Sequence, residues 1–221
     1  MDQAGMSTYL TLGNASYGEY HEKGSKFLAY AFPVETAPQV RNHLMDLQKE
    51  HSKARHVCYA YRFGTGGLEF RTVDDGEPSG TAGKPILQQI DKHQVTDVVI
   101  FVVRYFGGVL LGAPGLTRAY KQAAEQAIIQ GQIVSRDIVE HWVIECNFVQ
   151  SQQILGILKP EPGVQIVNTV LGEPSLISVN LPLISKEEIF MKIKMKLENR
   201  KRKDIAELLP IEGISLSKNS I

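Results

Sequence analysis

The sequence predicts an α+β protein of two domains. Its 221 residues exceed the usual size of one domain, so we expect two domains of about 100 residues each. In the first half, the apolar run Val98 to Val103 leads through a glycine-rich corner into a regular helical pattern. In the second half, strand and helix patterns follow one another as βαββαβ, which is the ferredoxin-like arrangement.

The first half contains five strand patterns and three helix patterns, in this order: strands Tyr9 to Leu12 and Lys26 to Val34, a helix from Thr36 to His51, strands His56 to Phe63 and Leu68 to Val73, a helix from Pro85 to His93, a strand from Val98 and a helix ending near Gly131. Aromatic and β-branched residues indicate the strands, and apolar residues at helical spacing indicate the helices. The turn Gly64-Thr65-Gly66-Gly67 favours a hairpin between the third and fourth strands.

The second half begins with a strand pattern, and its elements are as follows: a strand Val139 to Phe148, a helix Ser151 to Leu158, strands Val164 to Leu171 and Leu176 to Leu183, a helix that includes Ile189, Ile193 and Leu197, and a strand near Ile214 to Leu216. Ser185 and Glu188 have the spacing of a capping box, so we expect Ser185 to cap the last helix.

Composition excludes several classes of protein. The 24 basic and 24 acidic residues balance, which argues against a polyanion binder of the histone type. Cys58 and Cys146 lie far apart without metal-binding spacing, as is typical of free thiols in a reducing compartment. The chain shows neither a signal-peptide pattern nor an apolar run of membrane-spanning length, so we expect a cytoplasmic protein without a membrane partner.

Six segments resemble the IMPACT/YigZ family: GSKFLA at Gly24 to Ala29, KARHVCYAYR at Lys53 to Arg62, DDGEPSGTAGKPIL at Asp74 to Leu87, RYFGG at Arg104 to Gly108, LG at Leu111 and Gly112, and RAY at Arg118 to Tyr120. They cover about residues 17 to 130 in the order typical of the family. The second half is similar to a ferredoxin-like domain that follows in bacterial members and resembles a domain of translation elongation factor G.

The resemblance implies a first domain, residues 1–135, similar to the second domain of ribosomal protein S5, with a left-handed βαβ crossover. It implies a ferredoxin-like domain over residues 136–221 and a cytosolic role in translation regulation. The eukaryotic members act through a protein partner in the amino-acid starvation response. The family usually has a lysine at the position of Leu110, a glycine at that of Pro114 and a small hydroxyl residue at that of Arg55.

The corner between the buried strand and its helix is the candidate binding site of the first domain. Arg118 and Lys121 are expected in the first turns of the helix, where their charge is unfavourable and calls for an anion. That anion is either a bound phosphate or the protein's own acidic residues. The candidate residues are His56, Asp74, Asp75, Glu77, Arg104, Tyr105, Gly107, Gly108 and Arg118.

Other interpretations of these residues are weaker. The adjacent carboxylates of Asp74 and Asp75 are more typical of a turn than of a metal site, and nothing completes a metal or nucleophile site around His56 and Cys58. Tyr105 is either a base-stacking residue or part of the core. We therefore expect no metal, no cofactor and no catalytic residue.

A basic segment, residues 192–203, is the candidate nucleic-acid site of the second domain. It is expected to lie on the solvent side of a helix, either in contact with RNA phosphates or simply solvated at the helix end. Its candidate residues are Lys192, Lys196, Arg200, Lys201, Arg202 and Lys203.

Two functions remain open from the sequence. The first is a non-enzymatic protein that binds RNA, the ribosome or a translation-associated protein. The alternative is a binding protein or enzyme for a small anion or nucleotide phosphate, with its site in the glycine-rich corner of the first domain. The oligomeric state is left open.

Overall fold

A computed structural model describes residues 7–219 of the protein. The chain folds into two compact units: within the described range, one contains residues 9–136 and the other contains residues 7–8 and 137–219. Five helices and eleven strands lie in the described range, so the α+β class predicted from the sequence is confirmed. Within these residues no helix is both long enough and apolar enough to cross a membrane.

The first unit contains the following elements: β1 Thr8–Leu12, β2 Ser16–Glu22, β3 Ser25–Pro33, α1 Ala37–Glu50, β4 His56–Phe63, β5 Glu69–Val73, α2 Gly83–Lys92, β6 Val98–Tyr105, α3 Gly112–Gln130 and β7 Ile133–Asp137. Five strands form an antiparallel sheet in the order β2-β3-β6-β4-β5, and β1 pairs with β7 in a separate two-stranded sheet. Strands β3 and β4 lie on either side of β6, and α1 joins them. This is a split β-α-β unit, because β6 lies between the two strands that the helix connects.

Strand β6 is the centre of this sheet because both of its faces are covered. Successive strand residues point to opposite faces. Ile100 and Val102 therefore join the core formed with α2 and α3, whereas Phe101 and Val103 join the core beneath α1. All six residues from 98 to 103 have no exposed surface, and burying each of these side chains contributes about 1.5–3 kcal/mol.

Strand β2 was not predicted from the sequence, and Gly18 gives the physical reason. Polar residues and a glycine weaken the strand pattern there. A Cβ at Gly18 would overlap the backbone nitrogen of Ala127, so helix α3 packs directly on the β2 backbone. The glycine that weakens the strand signal thus permits the packing.

The second unit contains β8 Val139–Cys146, α4 Phe148–Leu158, β9 Gln165–Val170, β10 Ser175–Pro182, α5 Lys186–Leu197, a 3₁₀ turn at Arg202–Asp204, and β11 Ser215–Asn219. Its strands form an antiparallel sheet in the order β11-β8-β10-β9. Ile154 and Leu158 of α4 and Ile189 and Ile193 of α5 are buried in one core with the sheet.

Two helix starts in this unit differ from the prediction. Asn147 caps α4 in a capping box with Gln150, so the helix begins three residues before Ser151. The predicted capping box at Ser185 is wrong: Ser185 already has helical dihedral angles, and its buried Oγ has no hydrogen-bond partner among the described residues. A capping side chain needs an extended backbone to reach the free N–H groups.

Candidate functional site

The glycine-rich corner joins β6 to α3. A Cβ at Gly107 would overlap the Gly24 backbone, whereas Gly108 and Gly112 have φ values of +87° and +68° and are therefore in the left-handed region. Gly107 therefore allows its backbone to pass close to that of Gly24, and Gly108 allows a turn. Helix α3 begins at Gly112, so Arg118 and Lys121 lie beyond its first turn. The predicted repulsion between these two cations and the positive end of the helix dipole is therefore wrong, because that effect is confined to the first turn.

Asp74 caps helix α2 from the loop that precedes it, nine residues before Gly83. Its carboxylate accepts hydrogen bonds from the backbone N–H groups of Gly80, Ala82 and Gly83 at 2.8–3.0 Å. Burial raises the pKa of Asp74, but these three donors outweigh burial and hold the pKa below its ordinary value. This explains why α2 begins at Gly83 rather than at the predicted Pro85.

Asp75 and His56 are also occupied by backbone contacts. Asp75 Oδ2 accepts a hydrogen bond from Val57 N at 2.7 Å, and the Asp75 carbonyl oxygen accepts one from His56 Nδ1 at 2.7 Å. Within residues 7–219, no group of three or more His, Cys, Asp or Glu side chains is placed to hold a metal ion.

Glu77 and Arg104 form a buried ion pair. Arg104 Nη1 lies 2.6 Å from Glu77 Oε1, and the two side chains are only 7% and 4% exposed. The same Glu77 oxygen accepts a hydrogen bond from Tyr120 Oη at 2.9 Å. The Arg104 guanidinium also contacts the rings of Phe27 and Phe106, at 5.4 and 5.7 Å from their centroids. These contacts fix the guanidinium in one orientation.

Cys58 is linked to this ion pair through Tyr120, whose hydroxyl contacts both Cys58 and Glu77. Its Sγ is 2.9 Å from the Asp74 carbonyl oxygen and 3.3 Å from Tyr120 Oη. Burial raises the pKa of both the Cys58 thiol and the Tyr120 hydroxyl, so both remain protonated at neutral pH. A protonated, enclosed thiol is a poor nucleophile.

Arg118 and Tyr105 lie apart from these residues. Arg118 pairs with Glu22 rather than with the acidic residues 74–77. Tyr105 Oη contacts His51 Nδ1 at 2.9 Å, and the other ring nitrogen of His51 contacts Tyr30 Oη at 2.8 Å. The internal ion-pair network considered from the sequence therefore includes Arg104 but not Arg118.

A cleft of about 480 Å³ opens beside the corner. It is lined by Arg55, His56, Glu77, Pro78, Arg104, Phe106, Leu110, Leu111, Gly112, Ala113 and Leu116. Three of the predicted residues, His56, Glu77 and Arg104, thus meet in one cleft. The other six predicted residues of the first domain do not line it.

Sequence reasoning missed the rest of the cleft. Arg55 precedes strand β4 next to the predicted His56 and is exposed. Phe106 and Leu110 are 46% and 83% exposed, so apolar residues on both sides of the pair Gly107-Gly108 were the available signal. Exposed apolar residues that cluster at a cleft are more informative than isolated ones.

The basic segment of the second unit is not one helical face. Helix α5 ends at Leu197, and Asn199 has a φ of +50°, so residues 200–203 lie outside the helix. Lys192 contacts Glu161 and Glu188, at 2.8 and 3.3 Å. The expectation of a continuous solvent-facing helix is therefore wrong.

Four cations of the segment remain exposed without an ion pair among the described residues: Lys196, Lys201, Arg202 and Lys203. Arg200 is also exposed, and its Nη1 lies 3.5 Å from Glu198 Oε2. Lys194, by contrast, is buried and donates to the carbonyl oxygens of Glu207 and Pro210 at 2.8 and 2.7 Å.

Comparison with known proteins confirms the family resemblance. Residues 23–128 match the family described as the Impact N-terminal domain. A Haemophilus influenzae relative named IMPACT family member is 37% identical over 150 residues, which are 66% of this chain and 71% of the relative. The Escherichia coli relative named IMPACT family member YigZ is 31% identical over 173 residues, which are 77% of this chain and 84% of the relative. Neither relative has an enzymatic name.

The similarity also extends to a solved structure. A crystal structure described as that of a hypothetical protein is similar over 98% of both chains, with a TM-score of 0.75 and 28% sequence identity. Both units of this chain are therefore covered by one known structure. The matches to the Haemophilus influenzae and Escherichia coli relatives, over 71% and 84% of their lengths, show that the chain belongs to the IMPACT family.

Proposed function

We propose that this protein is a non-enzymatic binding protein of the cytoplasm that acts in translation regulation through contact with structured RNA, including ribosomal RNA. Family membership supports the link to translation, because the resemblance of the sequence to the IMPACT/YigZ family carries that implication. The RNA contact is assigned to the second unit, and a translation-associated protein is the competing partner.

The observation that carries the RNA proposal is the group of exposed cations at residues 196 and 200–203. Four of them have no ion pair among the described residues, and the exposed pair of Arg200 with Glu198 is weak enough to be exchanged for a phosphate. Lysine and arginine side chains that neutralise phosphates release counterions from the nucleic acid. Such a group provides affinity without reading the base sequence.

The proposal includes an assignment of the two folds. The first domain, residues 1–135, is assigned to the fold of the second domain of ribosomal protein S5, with a left-handed crossover through α1. The second, residues 136–221, is assigned to the ferredoxin-like fold, similar to a domain of elongation factor G. The strand order β11-β8-β10-β9, with α4 and α5 as crossovers, supports the second assignment.

Salt-dependent binding to ribosomes and to a structured RNA tests the RNA contact. We expect binding at low salt that weakens as salt rises, and its loss when Lys201→Glu is combined with Arg202→Glu. The control combines Lys49→Glu with Lys53→Glu in the first unit, since both lysines are exposed and the charge change is the same. The control should bind as the unmodified chain does.

Absence of association at low salt would overturn the RNA contact. Association with ribosomes that survives nuclease treatment, without binding to isolated RNA, would instead point to a protein partner. Equal loss of binding in both charge-reversed variants would show that only net charge matters and would remove the assignment to residues 200–203.

A further inference from the structure

The cleft beside the glycine-rich corner has no role in the RNA contact, which is assigned to the second unit. We propose that this cleft binds a small phosphorylated molecule that carries an apolar or aromatic group, the chemical class of the nucleoside monophosphates. The phosphate is placed at the start of helix α3, and the ring is placed against Phe106 and the leucines of the corner.

The start of α3 provides donors for a phosphate. No side chain caps this 19-residue helix, and its first turn contains no acidic residue. Gly112 and Ala113, its first two residues, line the cleft. Both residues are exposed, so a ligand can approach their backbone N–H groups. Free N–H groups and the helix dipole together favour an anion.

Arg104 is a second and independent indication of a ligand. The residue is only 6% exposed, it lines the cleft, and its Nε has no hydrogen-bond partner among the described residues. Glu77 engages Nη1 alone of the guanidinium nitrogens. Buried donors normally have partners, and an arginine guanidinium presents five N–H groups in a geometry suited to phosphate.

The charge of the cleft suits a small anion. Arg55 stands exposed at the rim and forms no ion pair within residues 7–219, while Arg104 and Glu77 compensate each other. One cation, together with the partial charge of the helix start, is therefore left for the ligand. This is too little for a polyphosphate and is appropriate for a single phosphate group.

Much of the lining of the cleft is apolar. Phe106 presents a ring that is about half exposed, and Leu110 is largely exposed beside it. Leu111, Leu116 and Pro78 also line the cleft. Inorganic phosphate would leave this surface unused, whereas a nucleoside would cover it. The volume of about 480 Å³ lies within the range of small-molecule sites, about 300–1,000 Å³.

Calorimetric titration of the full chain tests the proposal with the monophosphates of adenosine, guanosine, cytidine and uridine. Adenosine and inorganic phosphate serve as the two partial ligands. At least one monophosphate should bind more tightly than either partial ligand. Arg55→Ala should weaken that binding by about tenfold, since a charge-assisted hydrogen bond is lost, whereas Arg41→Ala, on the exposed part of α1, should not.

Leu110 allows a test that does not disturb the core, because its side chain is 83% exposed. Leu110→Glu should weaken monophosphate binding and Leu110→Lys should strengthen it. Leu68, which is 90% exposed and directly precedes strand β5, provides the matched controls Leu68→Glu and Leu68→Lys. These controls should leave binding unchanged.

Three results would overturn the proposal. The first is no binding of any of the four monophosphates at millimolar concentration. The second is equal affinity for a monophosphate and one of the partial ligands. Adenosine that binds as tightly would show that the phosphate contributes nothing, and inorganic phosphate that binds as tightly would show that the apolar contact contributes nothing. The third is monophosphate binding that is unaffected by Arg55→Ala and Leu110→Glu. None of these results depends on whether the second unit binds RNA.

Discussion

Tyr120 Oη donates a hydrogen bond to Glu77 Oε1 over 2.9 Å, although the two residues are 43 positions apart in the sequence. Tyr120 is fully buried in helix α3, and Glu77 lies in the loop that leads to α2. Because Glu77 also holds Arg104, the orientation of a guanidinium in the cleft depends on a hydroxyl group in the core.

Tyr120→Phe tests this dependence. Burial raises the pKa of Tyr120, so its hydroxyl is a permanent donor near neutral pH, and its removal leaves a buried carboxylate with one donor fewer. We expect a loss of about 1–3 kcal/mol in the free energy of unfolding, measured in urea. The control Tyr17→Phe removes an exposed hydroxyl that contacts Glu19, and it should cost less than about 0.5 kcal/mol. Equal losses would contradict the assigned role.

The Glu77–Arg104 pair should show strong energetic coupling. Glu77→Leu leaves a buried guanidinium without its counter-charge and should cost about 3–5 kcal/mol. Combination with Arg104→Met removes the unpaired charge and should recover most of that loss. A double-mutant cycle from urea unfolding measures the coupling, and simple additivity of the two single losses would refute it.

Asp74 should make the first unit sensitive to acid. Its folded-state pKa lies below the ordinary value of 3.8, so its stabilisation is present above that value and is lost as pH falls through the folded pKa. Asp74→Asn should therefore reduce the fall in unfolding free energy between about pH 6 and pH 2. Asp46→Asn, an exposed position in α1, is the control and should keep the dependence of the unmodified chain.

Gly18→Ala should destabilise the protein. The added methyl group would overlap the Ala127 backbone, and overpacking of this kind costs about 1–3 kcal/mol. The matched control is Gly156→Ala in helix α4, where a Cβ meets nothing within 4 Å. That change should stabilise the protein by about 0.5–1 kcal/mol, because alanine favours the helix. Thermal unfolding compares the two, and a neutral Gly18→Ala would contradict the packing of α3 on β2.

Local patterns predicted the elements whose signals lie within a few residues of one another. The apolar run of β6 and the stripe of Leu116, Ala119, Tyr120, Ala123 and Ala127 in α3 are buried as expected. Each signal is a period that the chain displays without reference to any distant residue. The capping box at Ser185 failed because spacing alone does not determine the backbone dihedral angles of the cap.

Long-range pairings could not be inferred from the sequence. The sequence left two partners open for Arg104 and Arg118, the acidic residues 74–77 or a bound phosphate. The fold placed Glu77 beside Arg104, and it placed Glu22, 96 positions away in the sequence, beside Arg118. The cleft was missed for the same reason: Arg55 and Leu110 meet only because β4 and the end of β6 are neighbours in the sheet. The residue types indicated that the corner is charged. Only the topology of the sheet determines which of these residues line the same cleft.

The buried ammonium of Lys194 has a consequence for chemical labelling. Its three N–H groups face the carbonyl oxygens of Glu207 and Pro210 and the carboxylate of Glu198, whereas Lys196, two residues along, is exposed. An amine-acylating reagent will therefore modify Lys196 quickly and will reach Lys194 only when the chain around residues 207–210 opens. The ratio of the two labelling rates, read by peptide mass spectrometry, reports how often that opening occurs in the native protein.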